Sequence, residues 1–71
     1  MESEIAQIRR RIEEECLALK LAMEGFATTA SHQAITARYD RLGIYQTELE
    51  QLVGEQAGKK FVCEMYTHVI G

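Results

Sequence analysis

The residues best equipped for chemistry stand near the C-terminus: Cys63, Glu64 and His68. Glu64 and His68 are four positions apart, so on a helix their side chains share a face. A carboxylate and an imidazole are zinc-ligand types, but a structural site needs four ligands and a catalytic one usually three from the protein. No second group of ligand-type residues lies nearby, and the carboxylate–histidine i,i+3 spacing of di-iron helices is missing. A structural pairing accounts for these side chains, and neither a metal nor any other cofactor is expected.

A second constellation is Thr28, Thr29, Ser31 and His32, followed by Arg38 and Arg41. Hydroxyls and free amides at a helix start can hold an anion, with the arginines one to two turns further on. Ordinary N-capping explains the same residues, and the glycine pattern of a phosphate loop is absent. A regulatory protein binding a small anionic ligand here is therefore the alternative functional reading. The third feature is Arg9-Arg10-Arg11. On a helix these fan over about 200°, and Glu13, Glu14 and Glu15 each follow one of them by four. The expectation is a solvated face laced with ion pairs. Together with Glu4, the same glutamates oppose a phosphate-binding patch.

Catalysis has no candidate residues. Neither histidine has a nucleophile and an orienting acid at recognisable spacing, and no carboxylate pair stands out from the general charge. The reading is not an enzyme. A net charge of −3 disfavours nucleic-acid binding by field alone. Asp40, Glu48 and Glu50 balance Arg38 and Arg41 on the segment that would have to enter a groove, and the preceding turn is too long for a helix-turn-helix. The most apolar stretch, Cys16 to Met23, is interrupted by Lys20 and is well short of the roughly 20 residues of a membrane span. Met1-Glu2-Ser3-Glu4 lacks the basic start of a signal peptide. No nucleic acid and no membrane are expected as partners, and the expected compartment is the cytoplasm.

The elements that carry these residues are helices within a single domain. Apolar residues make up 46% of the 71 positions, charged ones 27%, and proline is absent. That composition suits a foldable, helix-rich chain. Ser3 can cap a first helix over about 3–24, with Glu4 favoured by the dipole. Ile5, Ile8, Ile12, Cys16, Leu19 and Met23 recur at steps of three and four. A strict heptad would put Glu15 at a core position. Shifting to Cys16 gives a locally eleven-residue seam and a nearly straight pairing. Gly25 to Ala30 reads as a short joint, with Phe26 plugging the core end, so the next helix runs antiparallel.

That second helix, about 32–53, carries Ile35, Tyr39, Leu42, Tyr45, Leu49, Leu52 and Val53 on one face. Gly43 within it implies a close neighbour or a bend. Gly54 predicts a break before a shorter third helix over 55–70, with Glu55 and Lys59 as an i,i+4 pair and Gly58 weakening the first turn. The alternative is one continuous rod through Gly54. Val62, Tyr66, Thr67, Val69 and Ile70 favour strand, but alternation is poor and no partner strand exists.

The fold class is thus all-α: an antiparallel helical hairpin plus a third helix, completed as a dimeric bundle. A chain this short buries only about 60% of its unfolded surface and commonly needs a staple or a partner. Cys16 and Cys63 read as two buried thiols, with a disulfide open only if packing brings them together. Leu17 and Leu21 make the first helix apolar on a second side. The expected function is a homo-oligomeric structural or protein-interaction module in which the C-terminal halves of the first helices meet. Leu17, Leu21, Ile44, Val62, Tyr66 and Ile70 are its candidate contact residues.

Overall fold

Ser3 starts the first helix as its residue type predicts. Its Oγ accepts the Ala6 N–H at 3.1 Å and its carbonyl accepts that of Gln7 at 3.0 Å. The computed structural model describes residues 2–24 and 32–71. They form α1 (Glu4–Glu24), α2 (His32–Val53) and α3 (Glu55–Ile70), an all-α arrangement of three helices. The joint from Gly25 to Ser31, with Phe26, lies outside the described residues.

The helices run up, down and up. Glu15 in the middle of α1 meets Arg38 and Arg41 early in α2. Ile5 and Arg9 near the start of α1 lie with Leu49 and Val53 near the end of α2. The antiparallel hairpin follows. α3 returns along α2, with Gly58 against Glu50 and Tyr66 against Tyr39.

Gly54 makes this return possible in one residue. Its N–H closes α2 on the Glu50 carbonyl at 2.8 Å, and its own carbonyl opens α3 by accepting the Gly58 N–H at 3.0 Å. Its φ of 97° and ψ of 156° belong to a region essentially closed to side-chain-bearing residues. The chain therefore breaks at Gly54, and the continuous rod is not the structure.

Ile8, Ile12, Cys16 and Leu19 of α1, Leu42 and Leu49 of α2 and Val62 of α3 make the buried core. Ile5, Ile35, Tyr45, Phe61, Met65, Tyr66, Val69 and Ile70 pack around it, half-buried. The stripes read from spacing are these faces. Met23, Leu52 and Val53 at the ends of the stripes are exposed, and so is Tyr39 within the second.

The close helix contact is at Gly58, not at Gly43. A Cβ on Gly58 would lie 2.6 Å from Glu50 Cγ, 2.9 Å from its Cα and 3.0 Å from its N. Two of those atoms are backbone and cannot swing away. A Cβ on Gly43 would meet nothing within 4 Å. The same substitution should act with opposite sign at the two sites in urea unfolding. Gly43→Ala is expected to add about 0.5–1 kcal/mol, the helix-propensity gain. Gly58→Ala is expected to cost about 1–3 kcal/mol through overpacking.

Candidate functional site

α1 presents its chemistry on three sides. At 100° per residue, Ile12, Cys16 and Leu19 define the inward direction. Glu15 flanks it toward α2, Arg9 flanks it toward α3, and Leu17 and Leu21 point outward.

On the α2 side, Glu15 is only 8% exposed. The Arg38 guanidinium lies 3.4 Å from each of its carboxylate oxygens, and that of Arg41 lies 4.0 Å from one. Such partners offset the loss of water around a carboxylate at this position. The arginines proposed for an anion at the start of α2 are therefore already committed to an internal carboxylate. His32 is exposed and its carbonyl accepts the Thr36 hydroxyl at 2.9 Å. Thr28, Thr29 and Ser31 lie outside the described residues.

The face of local i,i+4 pairs expected for Arg9, Arg10 and Arg11 does not form. Arg9 lies over the Phe61 ring, Cζ 4.5 Å from its centroid, and Arg10 pairs with Glu2. Arg11 makes no ion pair among the described residues. Glu15 turns across the helix seam because two guanidiniums converge there in a partly dry setting. Glu55 and Lys59 do pair, at 2.6 Å, which holds the carboxyl below and the ammonium above their ordinary pKa values.

The six candidate contact residues do not make one patch. Leu17 is 46% and Leu21 71% exposed, one turn apart on the outward face of α1. Ile44 is 58% exposed, but on the outward face of α2. Val62 is a correction: at 7% exposure it belongs to the core, and Tyr66 and Ile70 are half-buried against that core. The reversal at Gly54 turns the broad apolar face of α3 inward, so the chain itself buries Val62 and half-covers the rest. Tyr66 also shares a 2.9 Å hydroxyl–hydroxyl hydrogen bond with Tyr39, which pushes the Tyr39 phenol up.

The thiols diverge. Cys16 is buried and free, whereas Cys63 is free but exposed, so the expectation of two buried thiols holds only for Cys16. Burial, then Glu15 and Glu13, pushes the Cys16 thiol up. Glu64 and His68 are both exposed, and among the described residues no three His, Cys, Asp or Glu side chains group to hold a metal. Nor is any described helix long and apolar enough to cross a membrane. No protein-family model, curated protein or solved structure matches the chain.

Sequence reasoning missed the role of Glu15. The available signal was its core position in an uninterrupted heptad, with two arginines at i,i+3 on the facing helix. Removing one partner should hurt more than replacing the pair. Arg38→Met is expected to cost about 1–3 kcal/mol in urea unfolding, and adding Glu15→Met should recover most of it. Additive losses would contradict the coupling. Thiol titration gives a second check: Cys63 should react with an aromatic disulfide in the folded protein, and Cys16 only on unfolding. The raised Cys16 pKa leaves stability intact below the unfolded thiol's pKa of about 8.5 and erodes it as pH rises beyond that value.

Proposed function

We propose that the chain is a structural or protein-interaction module that associates with a second copy of itself through the outward face of α1. The observation that carries the reading is the exposure of Leu21, one turn beyond Leu17 on the side of α1 opposite the core. Single exposed apolar residues are common, but two leucines stacked at i,i+4 make a contact ridge. Charge favours a second copy as the occupant. Arg10 and Glu24 stand seven residues before and after Leu17, on the same side of the helix. An antiparallel crossing at Leu17 would bring Arg10 of each copy opposite Glu24 of the other, the self-complementary arrangement a two-fold axis requires.

Fully burying two leucines from each copy contributes about 6–12 kcal/mol before the cost of association. The partial shielding of Leu17 lowers that figure, so the dimer should be micromolar or weaker. The anionic-ligand reading gains nothing from the commitment of Arg38 and Arg41 to Glu15.

Sedimentation equilibrium of the intact chain tests the proposal. The expected result is a monomer–dimer equilibrium at micromolar to submillimolar concentration. Leu21→Glu should abolish it while leaving helical content unchanged, because Leu21 supports no core contact. A monomer throughout that range, or a dimer indifferent to Leu17→Glu and Leu21→Glu, would reject the α1 face.

A further inference from the structure

A depression of about 250 Å³ opens between the N-terminal halves of α1 and α3. Ile5 and Phe61 form its walls, and Val53 and Ala57 complete an apolar surface over the buried Leu49. Its polar rim is Arg9, Lys60 and Glu64. All three helices contribute, so the depression exists only because α3 folds back at Gly54.

Arg9 is the unusual member. Lying over Phe61, with Cζ 4.5 Å from the ring centroid, it makes no ion pair among the described residues. Ring stacking orients a guanidinium without using its N–H donors, which remain able to take a carboxylate in a fork. Lys60 adds a second cation, held only loosely by Glu64 at 3.9 Å. The rim therefore carries two positive charges against one negative, beside an apolar cleft.

We propose that this depression binds a small amphipathic anion: a short-chain monocarboxylate whose tail lies on Ile5, Val53, Ala57 and Phe61 while Arg9 holds its carboxylate. The volume equals that of about eight waters in the liquid, which suits roughly six to ten non-hydrogen atoms and no larger cofactor. Tail and head each supply part of the affinity. The apolar walls would take an alcohol of equal length, and the charge discriminates in favour of the acid. Glu64 works against an anion, so its removal should strengthen binding. The proposal is independent of self-association, because Leu17 and Leu21 lie on a different face of α1 and in its other half.

Amide chemical-shift titration with hexanoate tests it, with hexan-1-ol and inorganic phosphate as controls. Hexanoate is expected to shift the amides of Ile5, Arg9, Val53 and Phe61 saturably and to bind at least about fivefold more tightly than hexan-1-ol. Phosphate should leave those amides unmoved. Arg9→Gln should bring hexanoate down to the affinity of hexan-1-ol, and Glu64→Gln should raise hexanoate affinity about two- to threefold with no effect on the alcohol. Leu21→Glu should bind hexanoate like the wild type. Equal binding of acid and alcohol by the wild type, no saturable shift at these residues, or shifts confined to the start of α2 would overturn the proposal. Phosphate matching hexanoate would also overturn it. Arg9 and Glu64 are solvent-exposed, so the variants should keep the fold, which circular dichroism verifies.

Discussion

The structure depends on one backbone conformation. Gly54, at φ 97°, reverses the chain between two helices within a single residue. Without that reversal α2 and α3 would continue as a rod, and Phe61, Val62, Met65, Tyr66, Val69 and Ile70 would need cover from another chain. With it, Val62 enters the core and the other five residues pack around it. Gly58 completes the device one turn later, letting α3 approach the backbone of Glu50 where any side chain would collide. The rest of the molecule follows: Phe61 reaches Arg9, Tyr66 reaches Tyr39, and a cleft forms between α1 and α3.

The hairpin has a second constraint, electrostatic rather than steric. Glu15 sits on the α1–α2 seam with little access to water and takes two arginines from the facing helix. Sliding α2 by one turn would put one arginine where the other stands and leave the carboxylate with a single guanidinium. The present register is the one that gives Glu15 both arginines. The core and this seam together occupy the inner sides of α1, which leaves Leu17 and Leu21 as the leucines on its back. The interaction reading rests on that remnant of surface, much smaller than the one that spacing alone implied.

Much of this was legible in the residues. The helix bounds follow from Ser3 as a cap, from apolar steps of three and four, and from Gly54 as a breaker. The core positions of α1 and α2 follow from the same steps. What was not legible depends on which way a face turns after folding. Val62 and Ile70 lie on a face broad enough to serve either a partner or the chain's own core, and only the angle of return at Gly54 decides between them. Gly43 and Gly58 are alike in sequence, yet only one stands where two backbones meet. The glutamates after Arg9 to Arg11 offer local partners, but Phe61 and the α2 arginines compete for the same groups across the bundle. Cys63 reads as a small hydrophobe until its position on the outer side of α3 is known.

The reversal itself can be measured through Tyr39 and Tyr66. Their ring centroids are 6.4 Å apart in the folded-back chain, whereas 27 residues of unbroken helix would separate them by about 40 Å. Isotope-filtered nuclear Overhauser spectra on a mixture of labelled and unlabelled protein should show a ring–ring contact within each chain. Its absence, or its appearance only between chains, would mean that α3 extends away and is exchanged with a neighbour. That result would contradict a chain that folds back on itself at Gly54.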